Sequence, residues 1–317
     1  MRTSILAGVV CGVVTYTTAP WVRRYLLSRG SVDVPNHRSS HTLPTPRGGG
    51  LACAAGVATG LFAAGRNYRL PTPTLAGITA VTAIGLVDDL SGGLDPRLRL
   101  AVQAVSGAAF APSAAYAPMG SVITAGVVNV VNFMDGINGI TGSTAAVWGV
   151  ATVLSGRADR DPLLQVVGAI TAGAGVGFLP WNAPTAHLFL GDVGSYLFGA
   201  LMAAGITHVA ASPSKGWIIA APLLPYGLDV AQAIARRRLA GKPLAEAHRE
   251  HVYQRLVDHH SLSHGQVTAL HAAVATAMSV LSRQPLSLAS GTLMALVASG
   301  YLASPKVFAL RSAVSQQ

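Results

Sequence analysis

Eleven apolar segments, each about the length of a bilayer-crossing helix, constrain this 317-residue chain more than any other feature. A helix needs roughly 20 residues to cross a hydrocarbon layer about 30 Å thick. The segments fall at 4–21, 49–65, 73–90, 98–115, 118–134, 139–155, 162–180, 193–210, 215–234, 266–282 and 286–303. With 51% hydrophobic and only 11% charged residues, against roughly 25% charged in a soluble domain, the chain is not built for water. The expected fold is all-α: one polytopic transmembrane helical bundle of about 10–11 helices, forming a single domain over residues 1–317. The first segment, with Arg2 ahead of it and no small-residue cleavage site behind it, reads as a retained helix rather than a removed leader.

Charge then sets an orientation. The formal charge of +10 comes from basic residues lying between apolar segments rather than along a continuous stripe, which argues against a nucleic-acid partner. With the N-terminus outside, 15 of the 22 Lys and Arg residues fall on one side. The other side keeps Arg2, Arg66, Arg69, Arg157, Arg160, Lys215 and Arg283. The positive-inside rule therefore makes residues 22–48 and 235–265 cytoplasmic. Both segments are rich in Arg and His. Cys11 and Cys53 lie in apolar stretches and can build neither a disulfide framework nor a cysteine-rich zinc site.

Carboxylates are the informative residue class, because charges near a bilayer core are costly unless they are used. Asp88 and Asp89 end the third segment, Asp135 ends the fifth in N-V-V-N-F-M-D-G-I-N-G, and Asp192 opens the eighth in L-G-D-V-G-S. Asp229 lies deeper, in the ninth. The adjacent pair could serve as a base or bind metal. It could equally cap an interfacial helix and pair with Arg97 or Arg99. Around Asp135 and Asp192, the residues Asn132, Gly136, Asn138, Gly139, Gly191, Gly194 and Ser195 let backbone and phosphate approach closely, and hard oxygen ligands suit Mg²⁺. A tight turn and a helix N-cap are the structural alternatives for those two motifs. In the second basic segment, His248 and His251 share a face if helical, and Arg249 supplies fixed donors for phosphate oxygens. The H-E-x-x-H spacing of a zinc site is absent. The first basic segment holds Asp33, His37, Arg38, His41 and Arg47 before a glycine run.

Taken in order, these segments resemble the polyprenyl-phosphate N-acetylhexosamine-1-phosphate transferase family. The resemblance runs through Asp33, Pro35, Arg38, His41, Gly48 and Gly49, then Asp88 and Asp89, then Asn129, Asn132, Phe133, Asp135 and Gly136. It continues through Gly191, Asp192, Gly194 and Ser195 to His248 and His251. It implies a Mg²⁺-dependent enzyme, with Mn²⁺ as a substitute, that moves a sugar 1-phosphate from a UDP-sugar onto undecaprenyl or another polyprenyl phosphate and releases UMP. The implied setting is the bacterial inner membrane, with membrane lipids as neighbours, the site on the cytoplasmic face, and a homodimer as one assembly. In that reading Asp88, Asp89 and Asp135 are catalytic, and Asp192 with Asp135 holds the metal. Asn132, Asn138, His248, Arg249, His251, His41 and Arg38 bind substrate. Asn138 stands where many members carry aspartate, and H-R-E-H-V-Y-Q-R-L lacks the H-H-H run of the muramoyl-pentapeptide branch, so a surface-polysaccharide substrate is favoured. A secondary transporter is the rival class, since intramembrane acids also mark ion paths. It would place its acids near mid-bilayer, where only Asp229 qualifies.

Overall fold

In the computed structural model, which describes residues 2–35, 43–243, 249–260, 262–285 and 287–314, all eleven expected segments are helical. Chain order runs α1 (Arg2–Ser28), α2 (Gly50–Ala64), α3 (Thr72–Ser91), α4 (Pro96–Phe110), α5 (Ala117–Met134), α6 (Ile140–Ala158) and α7 (Pro162–Asn182). It continues with α8 (Gly191–His208), α9 (Pro213–Ala220), α10 (Leu224–Leu239), α11 (Val252–His260), α12 (His264–Leu281) and α13 (Leu288–Val314). The only strands among the described residues are β1 (Val32–Asp33) and β2 (Thr45–Pro46), an antiparallel pair ahead of α2.

Two elements differ from expectation. The ninth segment is broken into α9 and α10 by a 3₁₀ turn over Ala221–Leu223. Pro222 and Pro225 sit at the break, where each removes a backbone donor and crowds the preceding turn. The second basic segment contains a helix of its own, α11. His251 precedes it in a non-helical stretch, residues 249–251, and His248, the residue expected to share its face, lies outside the described residues.

Among the described residues, six helical stretches are long and apolar enough to cross a membrane: Thr3–Ser28, Thr72–Ser91, Ala114–Met134, Pro162–Asn182, Pro213–Leu239 and Leu288–Ala309. The chain is a multi-pass membrane protein. Phe62, Val105 and Val122 are exposed on the bundle surface, the placement expected of side chains that meet lipid rather than water. The helix α8 is buried along nearly its whole length and forms the axis around which α3 and α5 pack. Small residues allow this: a Cβ on Gly199 would press into the backbone of Val128 in α5, and one on Gly85 in α3 would meet the backbone of Asp192. Close approach through glycine replaces the hydrophobic drive that lipid cannot supply between helices. Because α8 sees protein on all sides, its N-terminus can hold polar groups without exposing them to lipid.

The helix ends sort into two sets. At one end lie the start of α2, the ends of α3, α5 and α7, the starts of α4, α6, α8 and α12, and α11. At the other, Asp161 caps α7 through the Leu164 amide and pairs with His208 at 2.9 Å, while Lys215 pairs with Asp159 at 3.1 Å. There, burial works to raise the Asp161 carboxyl, and the His208 hydrogen bond together with amide donors outweighs it, holding the group below its ordinary range. All four of the motif carboxylates lie at the first end.

Candidate active site

The site is assembled on a joint between two glycine-containing turns. The amides of Gly48 and Gly49 both donate to the Phe189 carbonyl, Gly50 donates to Leu190, and Phe189 donates back to Pro46. The joint tolerates no side chains. A Cβ on Gly50 would run into the backbone of Gly194, and one on Gly191, whose φ is +75°, would sit 2.6 Å from Asp89 Oδ2. The run P-R-G-G-G and the turn L-G-D-V-G-S are therefore the two halves of one contact, which holds Arg47 against two carboxylates. Arg47 Nε lies 3.1 Å from Asp89 Oδ1, and Nη2 lies 3.0 Å from Asp192 Oδ1. Burial works against the Arg47 charge, but Asp192, Asp89 and Asp33 together push its pKa above the ordinary arginine range.

Asp89 does a second task. Its Oδ1 accepts the Asp192 amide at 3.0 Å and its Oδ2 the Val193 amide at 2.9 Å. These are orphan donors in the first turn of α8. A carboxylate from α3 thus caps α8 across the interface, where the helix dipole also favours negative charge. Asp192 is oriented from the other side by Asn132, whose Nδ2 donates to Asp192 Oδ1 at 2.8 Å and to Ser195 Oγ at 3.0 Å. Asp88 points elsewhere. It is buried, receives Arg99 Nη1 at 2.7 Å on Oδ2, and accepts the Leu94 amide on Oδ1 and the Tyr196 hydroxyl at 3.4 Å. Of the two arginines considered as its partner, Arg99 is the one in contact.

Asp135 closes α5, and among the described residues no Lys, Arg or His pairs with it. Desolvation pushes its carboxyl up to about 7, with Arg47 opposing and the nearby Asp192 and Asp89 adding to the rise. Below it, Gly136 packs on Tyr253, whose hydroxyl donates to the Phe133 carbonyl at 3.1 Å. Asn138 clasps the turn to its neighbours. Its backbone amide donates to His264 Nδ1 at 3.2 Å, its Nδ2 to the Pro184 carbonyl at 3.0 Å, and its own carbonyl accepts from Thr268 Oγ1 at 2.8 Å.

The basic segment is tied down from inside the bundle. Asp229, fully buried, accepts the Val252 amide at 2.9 Å and lies 3.0 Å from His251 Nδ1, while its second oxygen accepts the Tyr301 hydroxyl at 3.1 Å. The His251 ring stacks on Tyr253 at 5.6 Å. Arg249 pairs with Asp258, and Glu250 with both Arg237 and Lys242. The single deep carboxylate therefore anchors the cap of α11, which gives it a structural partner in place of an ion path. Arg38, His41 and His248 lie outside the described residues.

The structure brings together Asp89, Asn132, Asp135 and Asp192, turns Asp88 aside to Arg99, places Asn138 at the edge as a clasp, and sets His251 behind α11. Residues the sequence reading did not assign to the site are Arg47, Arg99, Tyr196 and Ser195. Arg47 directly precedes the glycine run, the one local signal that it is held against another backbone. For a divalent cation the fit is one of donor chemistry. Asp192 and Asp135 offer hard carboxylate oxygens at adjoining helix ends, and Mg²⁺ usually completes its shell with waters and substrate phosphates. Among the described residues no cluster of three or more His, Cys, Asp or Glu side chains is drawn together as a closed cage.

Residues 72–210, from α3 through α8, match the family described as Glycosyl transferase family 4. The chain is similar to the decaprenyl-phosphate N-acetylglucosaminephosphotransferase of Mycolicibacterium smegmatis, 30% identical, covering 81% of this chain and 76% of the relative. It is also similar to a probable undecaprenyl-phosphate N-acetylglucosaminyl 1-phosphate transferase of Bacillus subtilis, at 26% identity, covering 80% of this chain and 77% of that one. A phospho-N-acetylmuramoyl-pentapeptide-transferase of Mycobacteroides abscessus matches over 84 residues at 38%, or 26% of this chain and 23% of that one.

Proposed function

From the premise that this chain belongs to the polyprenyl-phosphate N-acetylhexosamine-1-phosphate transferases of glycosyl transferase family 4, we propose how its residues carry out that transfer. The protein is a transferase of cell-envelope synthesis that moves N-acetylglucosamine 1-phosphate onto a polyprenyl phosphate. Our reading adds a UDP-sugar as donor, undecaprenyl phosphate or a similar polyprenyl phosphate as acceptor, Mg²⁺ as cofactor and the cytoplasmic face of the membrane as the location. The observation that carries it is the convergence of Arg47, Asn132, Asp135 and Asp192 at one end of the bundle, with Asp89 fixing the first turn of α8 beneath them.

A phosphate oxygen of the carrier attacks the sugar-linked phosphorus of the donor, and the bond from that phosphorus to the bridging oxygen breaks, releasing UMP. Asp192 and Asp135 would hold Mg²⁺, which when bound would supply positive charge to the diphosphate. The remaining work belongs to the chain. Asn132 and Asp89 hold Asp192 in place, and the N–H groups of Arg47 not committed to carboxylates are donors for a phosphate oxygen. The second pKa of a phosphate monoester is about 6, so the carrier is mostly dianionic at pH 7 and its attack needs little help from a base. Asp88, with both oxygens engaged, therefore acts as a positioning residue for α4 and Tyr196. Arg249 and His251, with His248, Arg38 and His41, take the phosphates and the uridylyl half of the donor, and Asn138 keeps the Asp135 turn in register.

Membrane vesicles test the reaction and its sidedness together. Inside-out vesicles given UDP-N-acetylglucosamine, Mg²⁺ and polyprenyl phosphate are expected to release UMP without detergent, and right-side-out vesicles only after permeabilisation. UMP release by intact right-side-out vesicles would reverse the orientation, and no release by either, with detergent present, would remove the reaction.

His251 separates donor binding from fold. The change His251→Ala is expected to raise the KM for the UDP-sugar about tenfold, the worth of one charge-assisted hydrogen bond, at unchanged Mg²⁺ requirement. It also strips Asp229 of a hydrogen-bond partner, so the double variant Asp229→Asn/His251→Ala, which removes the buried carboxylate as well, supplies the background. An unchanged KM in that well-folded double variant would take His251 out of the donor site.

A further inference from the structure

Two apolar grooves flank one ridge of α6, with their arginines at the end of the bundle opposite the carboxylates. The first, about 670 Å³, runs between α1, α6 and α7 from Ile5 to Tyr16, and the second, about 490 Å³, lies between α6 and the last turns of α12. Exposed Val150 and Leu154 form the ridge and line both grooves. Each groove has one arginine in its wall, Arg157 in the first and Arg283 in the second. Arg283 donates to the Ala151 carbonyl at 2.6 Å, and the Nε of Arg157 is buried without a hydrogen-bond partner among the described residues. The acids at this end are already taken, Asp159 by Lys215 and Asp161 by His208. Two cations therefore stand at the heads of two apolar channels, and among the described residues no carboxylate pairs with either.

We propose that this surface is a binding site for one anionic diacyl phospholipid, its phosphate between Arg157 and Arg283 and one acyl chain in each groove astride the Val150–Leu154 ridge. The pairing of the two grooves selects this occupant. Two adjoining apolar grooves, each with an arginine in its wall, match the one phosphate and two chains of a diacyl lipid better than the single chain of a polyprenyl phosphate or a spanning helix of a second copy. An apolar channel headed by Arg also excludes free phosphate as the ligand, since it would leave both channels unfilled. The site has a mechanical reach. The helices α6 and α12 that the lipid joins at this end are the same two whose opposite ends meet at Asn138, through His264 and Thr268. A bound lipid would brace the Asp135 turn from the far leaflet without touching substrate.

Native mass spectrometry of the delipidated protein, titrated with dioleoyl phosphatidylglycerol or dioleoyl phosphatidylcholine, tests the proposal. One phosphatidylglycerol is expected to bind at least tenfold more tightly than phosphatidylcholine, and R157Q, which breaks no bond within the protein, is expected to remove about tenfold of that preference. A phosphatidylglycerol carrying a diazirine in its acyl chain is expected to label residues 146–157 together with 169–180 or 276–284. Equal retention of the two lipids, an unaltered preference in R157Q, labelling confined to other helices, or crosslinking of two copies through Leu154 would each overturn it.

Discussion

Asp192→Asn is expected to lower turnover by about a thousandfold or more, equivalent to about 4 kcal/mol of transition-state stabilisation. The substitution is nearly isosteric, and the geometry around it explains why the loss is chemical. An Asn side-chain oxygen still accepts from Asn132, and Asp89 still holds the backbone amides of residues 192 and 193. Arg47 retains Asp89 as its partner. What disappears is one negative charge from the oxygen set offered to Mg²⁺, so the residual activity should need about tenfold more metal for half-saturation. UMP release across a Mg²⁺ series reads both effects at once. Near-normal turnover at limiting Mg²⁺ would sink the assignment of Asp192 to the metal.

The second large effect separates a positioning ion pair from a proton-transfer base. Asp88→Asn is expected to cut turnover about a hundredfold and to lower Tm, because it leaves Arg99 facing a neutral group at a buried position. If the charge pair is what matters, Arg99→Met should carry a similar penalty, and the double variant should be less impaired than the sum of the two, with a coupling of about 1–3 kcal/mol. The rate of Asp88→Asn should also stay flat from pH 7 to 9, since the carrier phosphate has already lost its second proton near pH 6. Recovery of that rate with rising pH, together with additive single losses, would return Asp88 to the role of a base.

Arg47 and Asp89 make plain why part of this site was hidden in the chain. Asp89 reads as half of an acidic pair, yet its oxygens serve the amides of a helix more than a hundred residues away. Nothing local distinguishes it from Asp88, which turns to the next helix and to Arg99. Both belong to α3, but adjacent helical positions point about 100° apart, so one faces α8 and the other faces α4. Arg47 lies in a stretch whose composition fits an ordinary stop-transfer flank, and only the seating of Gly48–Gly50 on Phe189 and Leu190 sets its guanidinium between two carboxylates. The broken ninth helix was half legible, since Pro222 and Pro225 were visible in the chain, but proline in a membrane helix can kink it as readily as interrupt it.

What the chain determined by itself is the set of terms that depend on neighbours in sequence: the apolar lengths that make eleven helical segments, the glycine and asparagine turns that end α5 and begin α8, and the order of motifs that carries the family resemblance. These follow from transfer free energy and local backbone sterics, which act over a few residues. What the tertiary structure decided is pairing. It made α8 the buried axis, assigned Arg99 to Asp88 and Arg47 to Asp89 and Asp192, and turned Asp229 into the anchor of α11. Such pairings depend on which helix faces which across the bundle, and that is settled by close packing of small residues and by the need of every buried charge for a partner.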